Sequence, residues 1–280
     1  MNTESERLSL RAVQLEELDI LLKVRDFFEA ENIRYVLCGG SMLGAVRHGG
    51  FIPWDDDIDL LVPRDDFERL RNIVSEKRPS LGGIEFHLPG DKGYIYPFIK
   101  AVNPNIIVDY GKPQDNNLWI DIFSLDHFPD NKFLHWLYVQ RLVTLERALS
   151  MGTYSDENMR ERGYYDSFTR KMKMNIARLM YKLFGGYERI SRRMDEIARN
   201  MDRKHKSSRH AGDGAWPNGM NDCFNMSWLF PSVKIKFEGH EVNIPNDYDS
   251  CLKKFYGDYM TIPPEGKRQT HYIKAYRVKS

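Results

Sequence analysis

The sequence predicts a mixed α/β fold of the α+β kind, a mixed β-sheet flanked by helices with an inserted or appended helical region. Three observations support this prediction. In the first half of the chain, segments with apolar residues at helical spacing alternate with short apolar runs that end at glycine or proline. Residues 131–208 then become helical and basic. Residues 233–244 return to the alternating pattern of a β-hairpin.

The first half of the chain carries most elements of the predicted sheet. An amphipathic helix over residues 11–31 is followed by a short buried strand over 33–38, which ends at Gly39-Gly40. Ser41 is expected to cap a short helix over residues 42–47. The remaining predictions for this half, in chain order, are a strand over 57–62 that ends at Pro63, a helix that starts at Asp65 or Asp66, and strands over 84–88, 94–102, 106–110 and 118–123.

The second half is predicted to be helical before it returns to β structure. Its predicted elements are helices across 131–208, a loop over 212–221, hairpin strands over 233–237 and 240–244, and a helix over 247–256. We therefore expect three regions. These are a core domain over residues 1–130, a helical region over 131–220, and a C-terminal segment over 221–280 that packs back on the core.

Composition narrows the class of partner. The 280 residues include 41 Lys and Arg against 40 Asp and Glu, and a net charge of +1 gives no reason to expect nucleic acid or an anionic membrane as the main partner. No apolar run approaches the roughly 20 residues that a membrane helix needs, and the polar first residues do not resemble a secretory signal. Three widely spaced cysteines suit a reducing compartment, so the cytoplasm is expected. The basic segment 189–209 is interpreted as a solvated face, with peripheral contact to a membrane as the alternative.

The clearest chemical signal begins at a small-residue turn. Gly39 and Gly40, followed by Ser41, stand between a predicted strand and a predicted helix. Without side chains, the backbone N–H groups of such a turn can approach a phosphate, and the start of the following helix favours the same anion. This pattern alone is more typical of an ordinary turn.

Acidic residues within apolar runs strengthen the signal. If residues 57–62 form a strand, Asp57 and Asp59 project to the same side, about 7 Å apart. Two carboxylates in that arrangement repel each other unless a cation lies between them, and Mg²⁺ commonly uses one or two carboxylates together with substrate phosphates. An exposed acidic turn would explain Asp55 and Asp56 but not Asp59, and Asp121 repeats the anomaly in the run 118–123.

Three segments carry a resemblance to a known family. The run from Gly39-Gly40-Ser41 to Asp57-Ile58-Asp59 resembles the LicD family of phosphorylcholine transferases, within the nucleotidyltransferase superfamily, with fukutin-type proteins as distant relatives. The segments Trp119–Phe123 and Tyr256–Met260, the latter followed by Pro263-Pro264, are similar to the central and C-terminal blocks of that family. Residues 131–220 carry no matching motif.

The resemblance implies a nucleotidyltransferase-like catalytic core over residues 1–130 and a metal-dependent reaction. It implies that Asp57, Asp59 and Asp121 are catalytic residues that bind Mg²⁺ or Mn²⁺, with a role for Asp55 left open. Asp121 is also the expected proton acceptor. The implied donor is CDP-choline, and the implied acceptor is a hydroxyl group of a glycan, a lipid-linked glycan or a teichoic acid precursor. The alternatives are another transferase on the same scaffold and a non-catalytic nucleotide- or glycan-binding protein.

Further candidate substrate-binding residues flank the motif. Besides Gly39, Gly40 and Ser41, the candidates are Arg47 and His48 for the leaving phosphate, and Trp54, Trp119, Tyr256 and Tyr259 for a choline group, with Lys100, Arg268 and His271 as weaker candidates. Basic residues at a helix end and aromatic residues in a core are the competing interpretations.

Overall fold

A nine-stranded mixed sheet forms the centre of the protein in the computed structural model, which describes residues 5–109, 116–161, 163–268 and 274–278. The strands are β1 (Ser5–Arg7), β2 (Val36–Leu37), β3 (Asp59–Pro63), β4 (Glu85–His87), β5 (Ile99–Asp109), β6 (Asn117–His127), β7 (His210–Asp213), β8 (Phe224–Asn225), β9 (Val233–Phe237), β10 (His240–Ile244) and β11 (Lys274–Val278). The helices are α1 (Leu10–Ala30), α2 (Gly39–His48), α3 (Arg64–Lys77), α4 (Lys132–Thr153), α5 (Asp156–Glu161), α6 (Phe168–Leu183), α7 (Gly186–Lys204), α8 (Met226–Leu229) and α9 (Tyr248–Tyr256).

The order of the strands explains how distant segments meet. The main path is β1-β11-β5-β6-β3-β2, with β4 added to β5, β7 added to β6 and β8 added to β7. The β3–β6 pair is parallel, whereas the other pairs are antiparallel. Strands β9 and β10 form a separate hairpin at the predicted residues. The predicted fold class is therefore confirmed, as a large mixed sheet flanked by helices.

Two predicted boundaries near the motif are wrong. Helix α2 begins at Gly39 and is capped by the extended residue Cys38, whose carbonyl accepts the N–H of Met42 at 3.0 Å. Ser41 therefore lies inside the helix and does not cap it. Strand β3 begins at Asp59, because the preceding segment first crosses from α2 to the sheet, so Asp57 precedes the strand. The expectation that Asp57 and Asp59 project to the same side of one strand is wrong for the same reason.

Strand lengths also differ from the prediction. Residues 99–102 and 106–109 of the strands predicted over 94–102 and 106–110 belong to one strand, β5, whose register with β6 shifts between Asn103 and Ile107. Residues 94–98 are not in a strand. Position 110 lies outside the described residues. Strand β6 continues to His127, because β7 pairs with its last residues. The start of the predicted loop 212–221 is therefore the end of a strand.

Two apolar clusters support the sheet and the helical region. The larger cluster lies between the sheet and α1, α2 and α3, and includes Val24, Leu60 and Ile122. The smaller one joins α4 to α7 through residues such as Leu142 and Met194. Within the described ranges, no helix is both long enough and apolar enough to cross a bilayer.

A buried ionic network links the end of β3 to the helical region. The guanidinium of Arg64 donates to both carboxylate oxygens of Asp126, at 2.6 and 2.8 Å, and to Asp195 of α7 at 3.1 Å. All three side chains are almost fully buried. Because loss of one partner would leave a buried charge with less compensation, each partner depends on the others.

Candidate active site

A cavity of about 520 Å³ opens where the sheet, the helical region and the C-terminal helix meet. One wall consists of the first turn of α2, the segment before β3, and the start of β3 itself. The facing wall consists of the loop after β7, one residue of α4 and the end of α9. The motif residues therefore share a cavity with segments more than 80 residues further along the chain.

Carboxylates dominate the first wall. Asp55, Asp57 and Asp59 all line the cavity, and we call these three residues the acidic wall. Asp59 is in register with Asp121 on the parallel neighbour β6. Residues in register on adjacent strands project to the same face of a sheet, so the fold brings Asp121 beside Asp59. Burial, followed by the charges of Asp57 and Asp121, raises the pKa of Asp59 well above its ordinary value. Asp56 is only 4% exposed, so it does not belong to a solvent-exposed acidic turn.

Asp121 is held from both sides. The indole Nε1 of Trp119 donates to its Oδ2 at 3.1 Å, and Nζ of Lys100 lies 3.8 Å from its Oδ1. Lys100 is itself buried, with its ammonium 3.9 Å from the centre of the Trp119 ring and 4.4 Å from that of Tyr96. Asp121 is not among the residues that line the cavity. It lies next to the cavity carboxylates in a fixed orientation.

The glycines of the motif make room for carboxylates. Gly39 has a φ of +53°, and a Cβ added to it would lie 3.0 Å from Oδ2 of Asp59. A Cβ on Gly40 would lie 2.6 Å from Oδ2 of Asp55, which is closer than a side chain allows. The hydroxyl of Ser41 accepts the backbone N–H of Asp59 at 2.8 Å. The first turn of α2 therefore packs directly on the acidic wall and orients it.

Arg47 and His48 lie at the opposite end of α2. A guanidinium nitrogen of Arg47 donates to the carbonyl of Tyr259 at 2.7 Å, and its Nε donates to the ring of His48. Neither residue lines the cavity. Their contacts agree with the competing interpretation of a basic helix end, and their proposed role toward a phosphate has no support in this geometry.

Two of the four candidate aromatic residues line the cavity. Trp54 and Tyr256 do so, whereas Trp119 contacts Asp121 and Tyr259 donates to Asp249 at 2.9 Å. The guanidinium of Arg268 lies 4.3 Å from the centre of the Trp54 ring, on a residue of the cavity wall. His271 falls outside the described residues.

The facing wall holds functional candidates that the motif analysis missed. Asp213, Trp216 and Asp222 line the cavity, together with Glu146 of α4. Burial and the neighbouring Asp222 raise the pKa of Asp213 well above its ordinary value. The signal available in the sequence was an acid between two glycines, Gly212-Asp213-Gly214. In the structure, a Cβ at Gly212 would overlap the backbone of Asp222, and a Cβ at Gly214 would overlap the side chain of Asp126. The sequence alone suggested only a loop.

A buried acid on the first helix was also missed. Glu17 of α1 is 1% exposed, and its Oε2 has no hydrogen-bond partner among the described residues. Burial first, and then the charge of Asp57, raises its pKa well above the ordinary value. Helix α1 packs on the acidic segment here, since Gln14 donates to the carbonyl of Asp55 at 2.8 Å. An acid on the buried face of an amphipathic helix was the available signal.

The residues of the acidic wall fit a hard divalent cation. The available donors are carboxylate oxygens. Burial first, and then the neighbouring carboxylates, raise the pKa of Asp59, and a bound cation would favour its ionised form. Among the described residues, no three acidic, histidine or cysteine side chains are arranged as a complete ligand set. Mg²⁺ needs only one or two carboxylates when a substrate phosphate supplies further ligands. Asp57 and Asp59 are the residues that would hold it.

Asp222→Asn is expected to weaken the pH dependence of folding. Burial raises the pKa of Asp222 to about 6, whereas an aspartate in an unfolded chain titrates near 3.9. The folded state thus keeps a proton that the unfolded state has lost, and this stabilisation disappears as the pH rises through about 6. When the pH is raised from 5 to 7, wild type should lose about 1 kcal/mol more of its free energy of unfolding than Asp222→Asn does. Urea unfolding at both pH values measures this, and a difference that stays constant with pH would contradict it.

Comparison with known proteins agrees with the motif. Residues 32–145 match the family described as LicD/FKTN/FKRP, nucleotidyltransferase domain. Over 278 residues, the chain is 25% identical to the lipopolysaccharide cholinephosphotransferase LicD of Haemophilus influenzae, covering 96% of this chain and 97% of that protein. Over 134 residues, it is 33% identical to the ribitol 5-phosphate transferase FKRP of Homo sapiens, covering 43% of this chain and 25% of that protein. The predicted resemblance to the LicD family is confirmed, by the family match over residues 32–145 and by the similarity to LicD along most of the chain.

Proposed function

We propose that the protein is a metal-dependent transferase that moves phosphocholine, or a similar phospho-substituent, from a CDP-activated donor to a hydroxyl group of a glycan. One observation carries this proposal: an acidic wall and aromatic side chains share a single cavity. Carboxylates suit a cation that holds a diphosphate, and aromatic faces suit a quaternary ammonium. The relatives, named as a lipopolysaccharide cholinephosphotransferase and a ribitol 5-phosphate transferase, support the general class of reaction.

The acidic wall is proposed to position the donor. Asp57 and Asp59 would hold Mg²⁺ or Mn²⁺, which when bound supplies positive charge to the diphosphate and aligns it for displacement. Ser41 fixes the backbone of Asp59, while Gly39 leaves its carboxylate free of side-chain overlap. A short, rigid helix start therefore sets the position of the carboxylates before the donor binds.

Asp121 is proposed to receive the proton of the acceptor hydroxyl. It lies beside Asp59 on the neighbouring strand, and Trp119 fixes one of its oxygens. The ammonium of Lys100 offsets part of the repulsion between Asp121 and Asp59. A general base must be held in a fixed orientation and must reach the reacting hydroxyl. The contacts of Asp121 with Trp119 and Lys100 supply the fixed orientation.

The aromatic residues of the cavity are proposed to bind the donor's head group. Trp54 stands next to the acidic wall, while Trp216 and Tyr256 belong to the facing wall. A choline group offers no hydrogen-bond donor, so attraction to ring faces is its main specific contact. This arrangement favours a donor with a cationic head group over an uncharged one.

Donor binding is tested by thermal unfolding with a panel of CDP-activated compounds. CDP-choline, CDP-ethanolamine, CDP-glycerol and CTP are each added with Mg²⁺, and again with EDTA. At a hundredfold excess over Kd, the preferred donor should raise Tm by roughly 5 to 10 °C. The shift should disappear with EDTA and return with added Mn²⁺. A larger Tm shift with CDP-glycerol than with CDP-choline would contradict choline as the transferred head group. Equal shifts with and without EDTA would contradict a role for a metal ion in donor binding.

Product analysis separates transfer from other chemistry. Donor labelled in the choline group should yield labelled glycan and unlabelled CMP when a glycan acceptor is supplied. Transfer of the nucleotidyl group instead would place the CMP moiety on the acceptor. Tight donor binding without release of CMP, across a panel of lipopolysaccharide and teichoic acid acceptors, would favour the non-catalytic alternative.

A further inference from the structure

Helix α6 carries an apolar surface that the rest of the described protein leaves uncovered. Its exposed apolar side chains are Phe168, Met172, Ile176, Leu179 and Leu183, with exposed fractions of 82%, 45%, 50%, 57% and 74%. At 3.6 residues per turn these five positions fall within about 80° of the helix circumference, and the 16 residues span about 24 Å. The five side chains therefore form one continuous stripe along the helix, of the kind that marks an interaction surface.

The same helix is strongly cationic. Between positions 168 and 183 the sequence contains five Lys and Arg residues and no Asp or Glu. Lys171 and Lys182 lie along one edge of the stripe, where their aliphatic stems can run beside apolar residues while the ammonium groups stay in water. Arg178 is engaged on the protein side, paired with Asp156 at 2.6 Å.

The opposite face of α6 is anchored. Met174 is 1% exposed, and Nε of Arg178 donates to the carbonyl of Met151, at the end of α4. A partner that wraps around a helix cannot enclose α6, because only one side is accessible. A flat, anionic and apolar partner fits this geometry, and a bilayer surface has all three properties.

Other occupants fit less well. In a second copy of the chain, two α6 helices would meet with like charges opposed and no acids to offset them. A nucleic acid would leave the apolar stripe in water. In the basic segment 189–209, Ile190 and Met194 of α7 are buried, so this segment offers positive charge without an apolar stripe like that of α6.

We propose that α6 is a membrane-surface helix, which inserts its apolar stripe into an anionic bilayer while Lys171 and Lys182 contact the headgroups. The proposal does not depend on the proposed transferase activity, although both agree with an acceptor that is linked to lipid. Binding should increase with the fraction of anionic lipid and decrease with salt.

Vesicle flotation of the full chain tests the proposal. Vesicles of phosphatidylcholine alone are compared with vesicles that contain phosphatidylglycerol, using wild type, a Phe168→Ser/Leu183→Ser variant and a Lys171→Glu/Lys182→Glu variant. Wild type should float with the anionic vesicles, and the serine variant should bind roughly tenfold or more weakly because two large apolar side chains are lost. The glutamate variant should lose binding to anionic vesicles in particular.

Controls keep the result specific to α6. Leu15→Ser removes an apolar side chain that is 49% exposed on α1, and it should bind like wild type. Unchanged circular dichroism melts would show that the α6 variants remain folded. Absence of wild-type binding, or equal binding by all variants, would overturn the proposal. So would a dimer in sedimentation velocity that Ile176→Ser converts to monomer, since the stripe would then be an interface between copies.

Discussion

Asp59→Asn and Asp57→Asn should each reduce transfer by more than roughly a hundredfold while leaving the fold intact, since each removes a proposed ligand of the metal that positions the donor. Stability should stay the same or rise in Asp59→Asn. The pKa of Asp59 is raised by burial and by Asp57 and Asp121, so its ionised form costs folding energy that a neutral amide avoids. Initial rates of CMP release and thermal melts measure the two effects.

The matched control for these variants is Asp65→Asn. Asp65 lies on α3, six residues after Asp59, with a side chain that is 69% exposed and paired with Lys206. Its replacement should change the transfer rate less than about twofold, because surface ion pairs contribute little. A near-normal rate in Asp59→Asn, or an equal loss in Asp65→Asn, would reject the assignment of the acidic wall.

Arg64→Met should destabilise the protein by roughly 3 to 5 kcal/mol. The substitution keeps much of the aliphatic volume but leaves Asp126 buried without its cation, whereas Asp195 keeps its pairs with Arg71 and Arg199. Urea unfolding monitored by circular dichroism measures the change, and failure of the variant to fold would be the extreme of the same result. The double variant Arg64→Met/Asp126→Leu should recover part of the loss, because it also removes the orphaned charge of Asp126.

The surface pair Lys234–Glu241 provides the comparison for Arg64. Its side chains are 59% and 65% exposed and lie 3.3 Å apart, so Lys234→Met should cost less than about 1 kcal/mol. Equal losses in Lys234→Met and Arg64→Met would show that burial of the network contributes nothing. A full recovery in the double variant would assign the whole effect to Asp126.

The local pattern was sufficient for several features of the site. The hairpin strands β9 and β10 were predicted at the observed residues, because alternation around Glu238-Gly239 depends only on neighbours in sequence. The acids Asp59 and Asp121 were singled out because each interrupts an apolar run. The two lie in register across β3 and β6, which agrees with the shared site that the family resemblance implies. The assignment of these residues to metal binding stays a prediction.

Other features needed the tertiary structure. The opposing wall of Asp213 and Asp222 comes from a loop that reaches the site only because β7 adds to β6. Glu17 reaches the acidic segment because α1 packs across it. Arg47 and His48 follow the glycine turn closely in sequence, but a ten-residue helix carries them away from the cavity. Residues far from the motif in sequence therefore line the cavity, while residues close to it in sequence do not.

The sequence by itself determined the fold class, the acidic motif and the family resemblance, since these depend on short-range periodicity and on residue types at fixed spacing. Tertiary structure decided which carboxylates face each other, which charges are buried and which apolar surface remains uncovered. Burial and pairing are properties of strand order and helix packing, and they set the pKa of an acid more strongly than its neighbours in sequence do. The same aspartate can be a solvated turn residue or a ligand, and only the surrounding fold decides between them.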